Sequence, residues 1–319
     1  MYLKRPLSAC YAEAKTATSA VLKWVMRRVV NNPVVRVIMF FVVEYILDRL
    51  CRTLLGKIWD GMHLGGDALT DETLGQGCFL AAVLITNSIM YLCFRESILT
   101  IWRGPTKNIF LGVTGGIAVG LLTIVTQVDL LEHFHFLILT TSTETAFPFN
   151  RVGLNILLVS VGEETMYRGY LFQASEKYGG TSAAVFISMT LFSLPHLGNI
   201  AGPSSPELIV RTIFVTASGG LLYSSCLVLT RRLWMPIALH FSLDILQDVV
   251  YGDDSFNIFP FFNVRYIAQA VDWTSGLLFL FVGIVLLLLA VRRGNWIKCQ
   301  LLHSLRAQFI NPNKTQTLG

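Results

Sequence analysis

The sequence predicts an all-α, polytopic integral membrane protein with about eight transmembrane helices. Of the 319 residues, 53% are hydrophobic and only 14% are charged, and the mean hydropathy is +0.58. Soluble domains carry about a quarter charged residues, so this chain lacks the polar side chains that cover a water-facing surface. These numbers exclude a soluble globular enzyme, and they exclude disorder because the chain has ample apolar surface to bury.

Eight apolar segments are long enough to cross the hydrocarbon region, which takes about 20 mostly apolar residues, or somewhat fewer where flanking residues snorkel. The last segment is the clearest, because no charge follows Asp272 until its end. The first is the weakest, because it contains Glu44 and Asp48. The predicted spans are residues 34–51, 78–94, 109–126, 152–173, 181–196, 208–230, 233–251 and 273–291.

Positive charge alternates from one connection to the next, as it does when Lys and Arg mark the cytoplasmic side of a membrane. The segment before Pro33 is strongly basic and contains a single acid, Glu13. The later basic positions are Arg95, Arg103, Lys107, Lys177, Arg231, Arg232, Arg292, Arg293 and Lys298, and acidic connections lie between them. Eight spans with both termini in the cytoplasm satisfy this pattern. No basic stripe with interleaved aromatic residues is present, so we expect no nucleic-acid partner.

The chain divides into four predicted regions. Residues 1–33 form a basic cytoplasmic lead-in, residues 34–149 the N-terminal transmembrane helices, residues 150–251 a catalytic helical core, and residues 252–319 the last transmembrane helix with a basic cytoplasmic tail. An organelle transit peptide is the alternative for the lead-in, which is basic, poor in acids and rich in Ala, Ser and Thr. We place the protein in a bacterial inner membrane, with a eukaryotic organelle membrane as the alternative.

Ionisable residues concentrate inside three of the predicted spans. A charged group in the hydrocarbon region costs at least about 2.5 to 3.5 kcal/mol on insertion scales, so such residues are functional candidates. A single intramembrane His or Glu–Arg pair is also a common interhelical contact. When such residues lie on three spans, each adds its own burial penalty. A purely structural role for all of them is then hard to explain, which favours a functional site. The set comprises Glu163, Glu164 and Arg168 in the fourth span, His196 at the end of the fifth, and His240 and Asp244 in the seventh.

Helical spacing separates these residues into roles. Glu164 and Arg168 are four apart on one face, so they can form an ion pair that lowers the cost of burying both. Glu163 is turned about 100° from Glu164 and is left free for chemistry. His240 and Asp244 are one turn apart, so the carboxylate can orient the imidazole.

The depth of His196 fits less well than that of the other candidates. With a rise of 1.5 Å per residue, Glu163 lies about 15 Å and His240 about 10 Å from the inner ends of their spans, and His196 lies about 22 Å from its own. Pro195 disturbs the helix just before His196. A short re-entrant or tilted fifth span would bring this histidine level with the others.

The remaining polar residues of the apolar segments are interpreted as packing or interface groups. They are Glu44 and Asp48, with Arg49 nearby, and Asn87, Asn155 and Arg211. His133 and His135 are interpreted as loop residues, because they lie in a polar connection.

Three motifs resemble the signature of the CPBP family of intramembrane proteases: Glu163-Glu164-x-x-x-Arg168, Phe192-x-x-x-His196 and His240-x-x-x-Asp244. That family groups type II CAAX prenyl endopeptidases with bacteriocin-processing and self-immunity proteins of bacteria. The resemblance implies an all-helical fold with a polar cavity inside the membrane.

The resemblance also implies hydrolysis of a peptide bond. Glu163 and His196 would activate a water, His240 and Asp244 would face the carbonyl oxygen as it becomes an oxyanion, and Glu164 with Arg168 would hold the base in position. An ionised carboxylate cannot donate a hydrogen bond, so Asp244 is either protonated or acts by orienting His240.

Zinc is the cofactor to consider, because the family is often labelled metalloprotease while a glutamate and histidine mechanism is also proposed for it. Two His and several carboxylates are suitable zinc ligands. The chain has no HExxH motif, and these residues come from different helices. We therefore expect no tightly bound metal, with zinc as the alternative.

The predicted function is that of an intramembrane endopeptidase acting on a membrane-associated peptide or protein, with prenylated CAAX-type proteins as one substrate class. A non-catalytic membrane adaptor or bacteriocin self-immunity protein with the same fold is the alternative. A proton-coupled transporter is a third hypothesis, but no broken-helix pair or inverted repeat supports it.

Overall fold

The computed structural model describes residues 32–61, 68–94, 106–141, 149–200, 205–251 and 262–310. These residues form eight α-helices, one short 3-10 helix and one pair of short strands. In chain order they are α1 (Pro33–Gly61), α2 (Ala68–Phe94), α3 (Thr106–His133), β1 (Leu137–Thr141), α4 (Phe149–Arg168), α5 (Tyr170–Ser193), the 3-10 helix Pro195–Asn199, α6 (Pro206–Thr230), α7 (Trp234–Tyr251), β2 (Phe262–Tyr266) and α8 (Ala268–Ile310). The all-α class is confirmed, and each predicted span lies on one or two of these helices, which is compatible with the predicted count of about eight.

Five stretches of the described chain are long and apolar enough to cross a membrane. They are Thr70–Phe94, Asn108–His133, Val152–Gly198, Pro206–Thr230 and Ala268–Gly294. The third of these stretches contains both α4 and α5. Helices α1 and α7 carry several ionisable residues and do not meet the same criterion. The chain is an integral membrane protein with several apolar helices.

The boundary between α4 and α5 differs from the prediction. The predicted span 152–173 is interrupted at Gly169, whose backbone leaves the helix with φ −74° and ψ −121°. The Asn87 side-chain oxygen accepts a hydrogen bond from the Tyr170 backbone N–H at 2.9 Å. This contact from α2 satisfies a donor at the start of α5, where helical acceptors are missing. A long-range contact therefore ends α4 at a point where the local sequence is still apolar.

A second interruption lies inside α5. Gly180 has φ +76° and ψ 175°, and the predicted fifth span, residues 181–196, begins directly after it. The left-handed φ favours glycine at this position. The span is thus the second half of a longer kinked helix.

Close packing against α3 fixes the position of α7. Gly112, Gly116 and Gly120 of α3 follow one another at intervals of four residues and face α7. A Cβ atom on Gly116 would lie 2.5 Å from the Met235 carbonyl oxygen, and one on Gly120 would lie 2.0 Å from Ser242 Oγ. Small residues let two helices approach closely in a membrane, where packing supplies much of the association energy. This contact holds the helix that carries two of the candidate site residues.

The two short strands form an antiparallel pair that runs from Leu137 opposite Tyr266 to Thr141 opposite Phe262. They connect the segment after α3 with the segment before α8 and add a small element to the predicted all-helical fold. His135 lies in the turn before β1 with φ +59°, as expected for a loop residue. His133 belongs instead to the last turn of α3, so its interpretation as a loop residue is wrong.

Most of the polar residues interpreted as packing groups make contacts of that kind. Asp48 pairs with Arg52 at 2.8 Å, one turn along α1, rather than with Arg49. Arg211 of α6 pairs with Asp272 of α8 at 3.2 Å. Glu44 is buried. The buried side-chain oxygen of Asn155 has no hydrogen-bond partner within the described ranges.

Some predictions concern residues outside the described ranges. These include the lead-in and its transit-peptide alternative, which lie in residues 1–31, and the end of the tail, residues 311–319. The orientation markers at Arg95 and Arg103 also lie outside them.

Candidate active site

The six candidate site residues lie on three separate elements of the chain. Glu163, Glu164 and Arg168 lie on the last two turns of α4, and His196 lies in the 3-10 helix after α5. His240 and Asp244 lie in the middle of α7. Helix α4 packs against both α5 and α7. The motifs that are far apart in sequence therefore meet between neighbouring helices.

The predicted ion pair between Glu164 and Arg168 is present and completely buried. Glu164 Oε1 lies 3.1 Å from Arg168 Nη1, and both side chains have an exposed fraction of 0%. Arg168 Nη2 also donates to the Gly220 carbonyl oxygen of α6 at 2.9 Å. The guanidinium lies over the rings of Phe192 and Tyr223, at 4.6 and 5.2 Å from their centres. Removing either charge would leave the other uncompensated, at a cost of about 3–5 kcal/mol.

His240 lies between three carboxylates. Its Nδ1 is 3.1 Å from Glu164 Oε1, and its Nε2 is 3.3 Å from Asp244 Oδ2 and 3.9 Å from Glu163 Oε2. The predicted contact of His240 with Asp244 is therefore present. The contact with Glu164 was not predicted, and it makes this carboxylate a bridge between Arg168 and His240.

The two adjacent glutamates differ in exposure. The Glu163 side chain is 22% exposed, whereas the Glu164 side chain is fully buried. Asp244 is 33% exposed. The site is thus closed behind Glu164 and open beside Glu163 and Asp244. Among the described residues, Glu163 and Asp244 are the carboxylates of this cluster that a water or a substrate carbonyl could contact.

The chain departs from a regular helix just before His196, as expected at Pro195. Helix α5 ends at Ser193, and the 3-10 helix places the imidazole with Nδ1 2.8 Å from the Phe192 carbonyl oxygen. A carbonyl accepts only from an N–H, so Nδ1 carries the proton and Nε2 of the neutral ring is an acceptor. The His196 ring is 4.9 Å from the Phe192 ring, whose centre is 6.0 Å from that of His240. His196 thus lies beyond the end of α5, in the 3-10 helix that follows it.

Tyr223 of α6 is a part of the site that the sequence analysis missed. Its ring is stacked on His240, with centres 4.6 Å apart and planes at 17°. Phe192 packs edge-on against the same tyrosine at 5.8 Å and 78°. Tyr223 belongs to no motif with an ionisable residue, so no sequence signal distinguished it from a core aromatic.

The candidate zinc ligands are the histidines and carboxylates of the same cluster. Within the described ranges, no group of three or more His, Cys, Asp or Glu side chains is arranged to hold a metal ion. His240 Nδ1 faces the buried Glu164, and His196 Nδ1 faces a carbonyl oxygen. In each histidine this leaves Nε2 as the nitrogen that could bind a metal, because metal-ligating histidines commonly donate their other N–H to a carboxylate or a backbone carbonyl. We derive no step through a metal.

One comparison with known proteins concerns this part of the chain. Residues 145–246 match the family described as Rce1-like, type II CAAX prenyl endopeptidase Rce1-like. The matched range contains the three motifs and helices α4 to α6 with most of α7. No curated protein matches the chain.

Proposed function

Because residues 145–246 form an Rce1-like domain, which supports a CPBP family intramembrane protease, we propose that the chain hydrolyses a peptide bond in a membrane-associated protein. The observation that carries this proposal is the cluster of Glu163, His240 and Asp244. It is open on one side and backed by a fully buried ion pair. A partly exposed carboxylate beside a fixed imidazole is the arrangement that acid–base hydrolysis needs.

In the proposed first step, Glu163 acts as the general base. Its carboxylate takes a proton from a water molecule while the water oxygen attacks the carbonyl carbon of the scissile peptide. His196 aids the positioning of this water, because its Nε2 is free to accept a hydrogen bond when Nδ1 donates to the Phe192 carbonyl.

His240 stabilises the oxyanion that forms on the carbonyl oxygen. Carboxylates face both of its ring nitrogens, and the imidazolium satisfies both because it donates at each nitrogen. The bond from Nδ1 to Glu164 fixes the ring, and the developing oxyanion takes a place beside Asp244 as an acceptor for Nε2–H. A donor that is positioned in advance in a water-poor site stabilises such a charge strongly. Asp244 therefore acts by orienting His240.

The reaction ends when the proton held by Glu163 passes to the amide nitrogen. The carbon–nitrogen bond breaks and Glu163 is again a carboxylate. The second proton of the attacking water passes from the new carboxyl group to the amine, so one fragment leaves as a carboxylate and the other as an ammonium group. Glu164, Arg168 and the Gly220 carbonyl hold the last turn of α4 during these steps.

The proposed substrate class is a prenylated CAAX-type protein, which would reach the site from the cytoplasm. We also propose that both termini are cytoplasmic, that residues 150–251 are the catalytic core, and that residues 1–33 precede the first span as a lead-in. These proposals rest on the charge pattern of the connections.

Comparative membrane proteomics tests the proposed function. Cells that produce the wild type, Glu163→Gln or Glu132→Gln would be compared for C-terminal peptides of membrane proteins. Glu132 is an exposed glutamate at the end of α3 and provides the same chemical change away from the site. We expect processed C-termini to disappear with Glu163→Gln alone. If all three cells process the same proteins, the chain is an adaptor or immunity protein instead.

A further inference from the structure

A cavity of about 600 Å³ lies between α5, α6 and α8. None of the six candidate site residues lines it. Its volume is within the range of ligand-binding pockets, about 300–1,000 Å³. Most of its wall is apolar and is formed by Val185, Phe186, Met189, Val228, Leu287 and Val291. Phe186 is 65% exposed and Val291 is 52% exposed, so the cavity is open towards the bilayer.

Polar groups line the other end of this cavity. Thr181 and Ser182 follow the kink of α5, Thr230 and Arg231 lie at the end of α6, and Arg293 lies on α8. Three hydroxyls and two guanidiniums therefore converge from three helices beside the apolar wall. In the proposed orientation this end of the cavity is cytoplasmic.

The two arginines differ in how far their charge is neutralised. Arg231 Nη1 donates to both carboxylate oxygens of Glu176, at 2.7 and 2.8 Å. Thr181 also donates to this carboxylate at 2.7 Å. Arg293 Nη1 donates only a long bond of 3.4 Å, to the Leu229 carbonyl oxygen. Within the described ranges, no carboxylate pairs with Arg293, so its positive charge remains available at the cavity.

We propose that this cavity binds an anionic phospholipid. The phosphate lies against Arg293 and the Ser182 hydroxyl, and an acyl chain lies along the apolar wall. Guanidinium groups bind phosphate through paired hydrogen bonds, and basic pockets between transmembrane helices on the cytoplasmic side bind anionic headgroups. The apolar wall suits an acyl chain, and the charge of Arg293 suits a headgroup with a net negative charge.

Native mass spectrometry of the purified full chain tests this proposal, with phosphatidylglycerol and phosphatidylcholine of identical acyl chains as the probes. We expect the wild type to retain phosphatidylglycerol in preference to phosphatidylcholine. Arg293→Gln should lose about tenfold or more in affinity for phosphatidylglycerol, because a hydrogen bond to a charged group is removed. Ala290→Phe, which fills the cavity without changing charge, should lose binding as well.

Arg292→Gln is the matched control, because Arg292 is the adjacent exposed arginine and does not line the cavity. It should bind phosphatidylglycerol like the wild type. Inorganic phosphate in excess should fail to displace the lipid, since it lacks the acyl chain. Equal loss in the two arginine variants would contradict the proposal, and so would unchanged binding by Arg293→Gln or displacement by free phosphate.

Discussion

The position of His240 decides what the candidate active site can do. Its two ring nitrogens face Glu164 on the buried side and Asp244 with Glu163 on the open side. The buried contact cannot exchange with a substrate, whereas the open contacts can. One ring thus joins the supporting ion pair to the groups that would meet a peptide.

Tyr223 is predicted to position His240 without taking part in the chemistry. Tyr223→Leu should lower kcat by about twofold to tenfold and leave KM nearly unchanged, because the aromatic contact contributes about 0.5–1.5 kcal/mol. Tyr223→Phe retains the ring that stacks on His240 and should restore kcat. Steady-state kinetics of both purified variants measures this split. If Tyr223→Phe is as slow as Tyr223→Leu, the hydroxyl rather than the stack is required.

The break between α4 and α5 is the element-scale feature that shapes the site. Helix α4 ends at Arg168, Gly169 makes the break, and Asn87 of α2 accepts a hydrogen bond from the first amide of α5. A Cβ atom on Gly169 would lie 2.0 Å from the Thr165 carbonyl oxygen and 2.6 Å from Asn87 Oδ1.

Gly169→Ala is therefore predicted to destabilise the protein by about 1–3 kcal/mol, as overpacking of a tight contact does. Gly153→Ala on α4 is the matched control, since a Cβ atom there meets nothing within 4 Å. That change should be neutral or stabilise α4 by up to about 1 kcal/mol, because alanine loses less entropy in a helix than glycine. Thermal unfolding in one detergent compares the two variants. Equal midpoints would show that the close approach at Gly169 is not required.

The sequence predicted the helices better than their interruptions. Apolar length located a helix for each of the eight spans, because burial in lipid needs a minimum run of apolar residues. Gly169 lies inside the predicted span 152–173. At this break the Tyr170 amide donates a hydrogen bond to the Asn87 side chain, and these two residues are 83 positions apart in sequence. Hydropathy carries no information about a contact of that kind.

At the scale of the whole molecule, the contacts of the charged residues are of two kinds, those within one helix and those between helices. The ion pair of Glu164 with Arg168 and the contact of His240 with Asp244 are each one helical turn apart, so spacing alone predicted them. The bridge from Glu164 to His240 spans 76 residues. Only the packing of α4 against α7 creates it, and no spacing rule could predict it.

The orientation of the chain is a prediction of the same scale. Two variants would be made in a chain whose native cysteines are replaced, one with Lys177→Cys and the other with Glu132→Cys. Both positions are exposed. The charge pattern predicts that a membrane-impermeant maleimide labels Glu132→Cys in intact cells and labels Lys177→Cys only after lysis. The reverse result would invert the orientation and move the polar end of the lipid cavity to the opposite side.

The most direct test of the proposed hydrolysis is cleavage of a farnesylated CAAX peptide by the purified chain in vesicles. The account predicts that the wild type and Glu132→Gln cleave the peptide, and that Glu163→Gln is at least about 100-fold slower, because the general base is lost. Thermal unfolding verifies that the three proteins are equally folded. Cleavage by Glu163→Gln at the wild-type rate would contradict the central role of this carboxylate.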